Sequence, residues 1–96
     1  MRKIEQAMCA AVKARRNWSS GNTQVIVSLD RVHVEVYLHG NIIYTESSGV
    51  KCFTLAGWNT PTTRSRLRAL GVNVSTKNYV PMYKGAVINE NKWYNI

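Results

Sequence analysis

The chain has 96 residues and a mass of 10.9 kDa, which fits one domain and excludes large multi-step enzymes, receptors and transporters. Hydrophobic residues make up 45 %, enough for a packed core, and no apolar run reaches the roughly 20 residues of a membrane-spanning helix. Thirteen Lys and Arg against five Asp and Glu leave a net charge of +8, which points to an anionic partner without specifying it.

That charge is uneven. Residues 1–20 carry +4, residues 21–60 carry −1 and residues 61–96 carry +5. Both basic blocks coincide with helical patterns. The opening MRKIEQAMCAAVKARR predicts an amphipathic helix over residues 2–17. Ile4, Ala7, Met8, Ala11, Val12 and Trp18 fall on one face, and Arg2, Gln6, Cys9, Lys13 and Arg16 on the other. Polar residues interrupt the apolar positions at helical spacing, so the segment does not read as a signal peptide. The turn-rich stretch Asn17–Asn22 should end the helix.

Four strands are predicted next. Val25, Val27 and Leu29 alternate with polar residues, and Asp30-Arg31 reads as a two-residue turn. Val32, Val34, Val36 and Leu38 alternate strictly with His33, Glu35, Tyr37 and His39, the clearest strand in the chain. Gly40-Asn41 should turn into Ile42–Tyr44, and Ser47–Gly49 into Val50–Leu55. Short turns between successive strands imply an antiparallel meander.

Thr60 and Pro61 have the character of an N-cap and first helical residue, and Gly71 that of a helix stop. The intervening helix should bury Thr63, Leu67 and Leu70. Arg64, Ser65 and Arg68 then face away, and Arg66 borders the buried stripe. Val72–Ser75 predicts a strand, and Thr76–Asn78 a turn. Tyr79–Tyr83 contains Pro81, which belongs at an edge or bulge, and short strands at Ala86–Ile88 and Trp93-Tyr94 follow. The order α-ββββ-α-ββ(β) predicts a single α+β domain over residues 1–96, two helices packed on an antiparallel sheet.

The stretch FTLAGWNTPTTRSRLRAL, from Phe53 to Leu70, follows an opening MRKIEQAM and a strand VEVYLHGNIIY. Together these resemble small uncharacterised proteins of tailed bacteriophages that carry a GWxTxTT[RK]SRLxAL block. Gly57, Trp58, Thr60, Thr62, Thr63, Arg64, Ser65, Arg66, Leu67, Ala69 and Leu70 are the matching positions. The resemblance implies phage origin, location in the host bacterial cytoplasm and a role in host takeover. It supplies no catalytic residues.

Four groups of residues bear on chemistry. Arg64, Arg66 and Arg68, interleaved with Thr60, Thr62, Thr63 and Ser65, have the composition of a phosphate-contacting helix, although a solvated helix has it too. Arg2, Gln6, Lys13 and Arg16 form a stripe that suits a polyanion backbone. His33, Glu35, Tyr37 and His39 share one strand face, but the two histidines lie about 20 Å apart at roughly 3.3 Å per residue, too far to act on one phosphate. Trp58, Tyr79 and Tyr83 are the aromatics best placed to stack on bases. Cys9 and Cys52 match no redox or zinc spacing and read as free thiols, so neither a metal nor a cofactor is expected.

The leading expectation is therefore a non-enzymatic accessory protein that binds DNA, RNA or nucleotide phosphates. Arg64, Arg68, Lys13, Arg16 and Arg2 would supply charge, with Arg66, Thr62 and Ser65 assisting. The alternative is an anti-defence protein or host-enzyme inhibitor that binds a host protein, with an edge strand near Pro81–Ile88 as its docking element. A small ribonuclease is the third reading. No membrane partner is expected, and self-association is open to so small a domain.

Overall fold

In a computed structural model describing residues 1–96, α1 (Lys3–Ala14) leads into five consecutive strands: β1 (Trp18–Ser20), β2 (Thr23–Val27), β3 (His33–Leu38), β4 (Asn41–Ser47) and β5 (Val50–Phe53). Then come α2 (Pro61–Ala69), β6 (Val74–Lys77), β7 (Val80–Tyr83), β8 (Ala86–Val87) and β9 (Tyr94–Asn95). All strand pairs are antiparallel. One sheet has the order β1-β2-β3-β4-β5-β9 and the other β6-β7-β8. The α+β meander architecture is thus the one the pattern predicts.

Two-residue turns set the registers. His39-Gly40 joins Leu38 to its partner Asn41, and Ser48-Gly49 joins Ser47 to Val50. Both residues of each turn have positive φ, as the hairpin turn that matches strand twist requires. The β3–β4 turn therefore centres one residue before Gly40-Asn41, and His39 leaves the strand to occupy it. A bulge follows. Val36 pairs with Tyr44 while Tyr37 pairs with Ile42, so the unpaired Ile43 and its neighbour Tyr44 are both buried. The register shift explains how an unbroken Ile-Ile-Tyr run fits a half-buried sheet.

The inner faces of the strands supply Val25, Val34, Val36, Leu38, Phe53 and Leu55 to the core. Met8, Ala11 and Val12 of α1 and Leu67 of α2 close over them, and Val72, Val74 and Ile88 join from the tail. Phe53 stacks edge-on against Tyr83 at 4.8 Å between ring centres, which fastens the small sheet to the large one.

Several local expectations shift. α1 ends at Ala14, not residue 17, because Arg15 adopts the left-handed conformation (φ +52) and Arg16 N–H returns to the Ala11 carbonyl at 3.0 Å. The turn-rich Asn17–Asn22 stretch contains an edge strand, β1, ahead of the Gly21-Asn22 turn. Asp30-Arg31 lies in a longer loop. There Asp30 Oδ1 accepts from Ser28 Oγ at 2.5 Å and Val32 N–H at 3.0 Å, and Leu29 is expelled to solvent. The turn expected over Thr76–Asn78 is centred on Asn78-Tyr79. Pro81 lies in the middle strand of the small sheet, where Ile88 N–H donates to its carbonyl at 3.0 Å. Its missing N–H falls just beyond the end of β8, so one ladder bond is lost at an open end.

Candidate nucleic-acid interface

The predicted site residues separate into an internal and an external set. Arg66 belongs to the internal set, 3 % exposed. Its Nη1 donates to Glu5 Oε2 at 2.7 Å, its Nε to Thr23 Oγ1 at 3.0 Å and its Nη2 to Asn22 Oδ1 at 3.3 Å. Ser65 Oγ also donates to Glu5 Oε2, at 2.6 Å. Arg66 therefore has no surface to offer a ligand, and the Ser65 hydroxyl is already engaged. Glu5 is the missed residue. It shares the spacing of Met8 and Val12 at i, i+3 and i+7, so its burial was legible, but its partner 61 positions away was not. Burial pushes the Glu5 carboxyl up, and hydrogen bonds from Ser65 and Arg66 outweigh this and hold it below its ordinary value.

The same contacts show how the helices lie. Glu5 meets Ser65 and Arg66, and the Cys9 thiol donates to the Ala69 carbonyl at 3.2 Å. Hence α1 and α2 run side by side on the inner face of the large sheet, with Cys9 turned into their seam. Burial and the nearby Glu5 charge push the Cys9 thiol up. Arg64 and Arg68 project from the other flank of α2. Arg68 Nη1 donates to the Val74 carbonyl at 3.0 Å, and Arg64 Nη1 donates to the Asn59 carbonyl at 3.1 Å and Asn59 Oδ1 at 2.5 Å. These contacts describe two local groups of cations, one at the C-terminal end of α1 and one on α2. Arg15, Arg16 and Arg31 gather at the C-terminal end of α1, where Arg15 Nη1 donates to the Arg31 carbonyl at 3.2 Å, and Lys13 lies in the last turn of that helix. Arg2 stands at the opposite end of that helix. Of the 13 Lys and Arg, only Arg66 and Lys51 have a carboxylate within ion-pair distance, so the surface is positive on both groups.

Asn59 organises the second group. Its carbonyl and Oδ1 hold Arg64, while its Nδ2 donates to the Tyr79 carbonyl at 3.3 Å and reaches Thr76 Oγ1 at 3.5 Å. One side chain thereby ties the loop carrying Trp58, the helix carrying Arg64 and the turn carrying Tyr79. Tyr79 is 96 % exposed and Trp58 59 % exposed, and Lys77 lies two residues from Tyr79 on β6. Tyr83 differs from these two: it packs on Phe53 and carries Lys84 Nζ 5.3 Å from its ring centre.

Trp58 is presented by a constrained loop. Ala56 (φ +53) and Gly57 (φ +81) form a turn closed by Trp58 N–H to the Leu55 carbonyl at 2.9 Å. Gly57 N–H donates to the Glu90 carbonyl at 2.8 Å and Ala56 N–H to Thr54 Oγ1 at 3.1 Å. A Cβ on Gly57 would lie 3.0 Å from Asn91 Oδ1. A large aromatic exposed on so fixed a backbone loses little freedom when something stacks on it. At the N-terminus of α2, Thr60 Oγ1 accepts from Thr63 N–H at 3.2 Å, as an N-cap does.

The histidine strand offers less. His33 Nδ1 and Ser47 Oγ are 2.6 Å apart, Tyr37 Oη donates to Glu35 Oε1 at 3.3 Å, and His39 has moved into the turn. Burial, with the Glu35 charge, pushes the Tyr37 phenol up, away from the range useful for proton transfer near neutral pH. No group of three or more His, Cys, Asp or Glu is placed to hold a metal, and no helix is long and apolar enough to cross a membrane.

The whole chain, residues 1–96, matches the family model described as Kyanoviridae Gp96 protein. No curated protein and no solved structure matches it.

Proposed function

The chain belongs to the Kyanoviridae Gp96 protein family and is a bacteriophage protein, and on that premise we propose that it is a non-enzymatic accessory protein that binds single-stranded nucleic acid in the host bacterial cytoplasm. The observation that carries this reading is the Asn59 node. Asn59 holds the Arg64 guanidinium, bonds the backbone carbonyl of the exposed Tyr79 and follows the exposed Trp58 in the chain. Single-stranded nucleic acid is gripped by exposed aromatics combined with cations, because bases stack on aromatic faces while cations meet the phosphates. A duplex keeps its base faces covered and could use only the charge. Thr62 lies in the first turn of α2, Lys77 stands two residues from Tyr79, and the net charge of +8 attracts the polyanion.

Titration of labelled single-stranded and duplex oligonucleotides over a range of salt concentrations tests the reading. Single strands should bind more tightly than duplex, and binding should weaken steeply as salt rises. Absence of binding at low salt would falsify it.

A second reading, docking on a host protein, draws on β8. This strand is two residues long, stands at the free edge of the small sheet and leaves Val87 68 % exposed. Recovery of a stoichiometric host protein that survives nuclease treatment would favour it.

A further inference from the structure

We propose that the cavity beside Trp58 receives one unstacked nucleobase; this rests on the nucleic-acid reading and gives that surface a base-binding pocket. The cavity has a volume of about 470 Å³, inside the roughly 300–1,000 Å³ range of small-molecule sites. Its buried lining is Leu38 at the end of β3, Ile43 in β4 and Leu55 just after β5, with Thr63 of α2 beside them. Trp58, more than half exposed, also lines it.

The polar lining decides the occupant. The Asn41 carboxamide, the His39 imidazole and the Thr62 hydroxyl make no hydrogen bond within the chain, whereas the neighbouring Thr60 and Thr63 hydroxyls are 3.0 Å apart and satisfy each other. An apolar bed with unspent donors and acceptors fits a flat ring that has an apolar face and a hydrogen-bonding edge. A carboxamide presents a donor and an acceptor side by side, the pairing a base edge requires. A bare phosphate gains nothing from an apolar lining, and a hydrocarbon group makes no use of the carboxamide, imidazole and hydroxyl at the rim.

Three measurements on the full chain test this. Uncharged nucleosides should quench tryptophan fluorescence with little dependence on salt, and Trp58→Phe should remove the response. An oligonucleotide built from abasic units should bind about 5- to 100-fold more weakly than the intact strand. Asn41→Ala, a change at an exposed position, should weaken binding of the intact strand and leave the abasic strand unaffected. Equal affinity for intact and abasic strands, with no response to nucleosides, overturns the pocket and leaves the nucleic-acid reading standing. A nucleoside response without oligonucleotide binding supports the pocket and overturns that reading. Loss of both overturns both, and leaves the cavity to an apolar side chain of a protein partner.

Discussion

Glu5 and Arg66 are 61 positions apart in the chain and meet at 2.7 Å in the closed seam between α1 and α2. The same guanidinium reaches Asn22 and Thr23 at the start of β2. One residue thus pins both helices to the sheet and fixes which flank of α2 faces outward. Arg64 and Arg68 reach solvent because Arg66 does not.

Removal of one member of this pair leaves the other buried and charged. Arg66→Ala should cost about 3–5 kcal/mol in chemical denaturation. Replacing both members together, with Glu5→Leu and Arg66→Met, should recover most of that loss, since the apolar pair needs no compensating charge. A double variant no more stable than Arg66→Ala would show that the bonds to Asn22 and Thr23 are the larger contribution.

The lowered Glu5 carboxyl makes stability depend on pH. In the unfolded chain the group titrates near 4.5, and in the folded chain below that. The folded state therefore holds fewer protons, and the stabilisation is present above pH 4.5 and fades as pH falls through the folded value. Denaturation midpoints should decline on acidification, and Glu5→Gln should flatten that decline while lowering stability at neutral pH.

Tyr79 and Trp58 contribute to binding far more than to folding, because their rings stand largely in solvent. Tyr79→Ala and Trp58→Ala should each weaken single-strand binding by about 1–3 kcal/mol. Their thermal midpoints should stay close to that of the parent. Tyr83→Ala should do the reverse, because its ring packs against Phe53.

Arg64 and Lys77 are expected to meet phosphates. Replacement of either by Gln should reduce the slope of log affinity against log salt by about 0.7, the value for one phosphate contact on a single strand. Lys84→Gln serves as the control, since Lys84 sits over the Tyr83 ring on a different turn. An unchanged slope in the Arg64 and Lys77 variants would place the phosphate path elsewhere.

Gly57→Ala tests whether the constrained loop matters for Trp58. The new methyl group meets Asn91 Oδ1 at 3.0 Å on a backbone with φ +81. A left-handed L-residue alone costs roughly 1–2 kcal/mol. Reduced stability and weaker binding should appear together, because the loop that suffers the strain carries the aromatic.

Much of the local architecture was legible from the residues. Strict alternation over His33–Leu38 marked β3, and Thr60, Pro61 and Gly71 bounded α2. These signals are short-range, each a matter of periodicity, capping or turn chemistry within a few positions. The α1 boundary slipped because no glycine marks its end and Arg15 takes the left-handed position unaided. β1 was hidden because its three residues, Trp-Ser-Ser, are too few to show a period.

The division of the arginines could not be read this way. Arg64, Arg66 and Arg68 look alike in the sequence, and their spacing alone ranks Arg66 only as nearest the buried stripe. Tertiary packing brought Glu5, Asn22 and Thr23 to Arg66 and brought Thr76 and Tyr79 to Asn59. By itself the sequence determined the small α+β meander and the two basic blocks, because patterning and charge are local and additive. Only the tertiary structure decided which cations are internal and which aromatics stay exposed. A buried ion pair and a three-way hydrogen-bonded node exist only when distant segments meet, and the desolvation of a charge depends on what surrounds it.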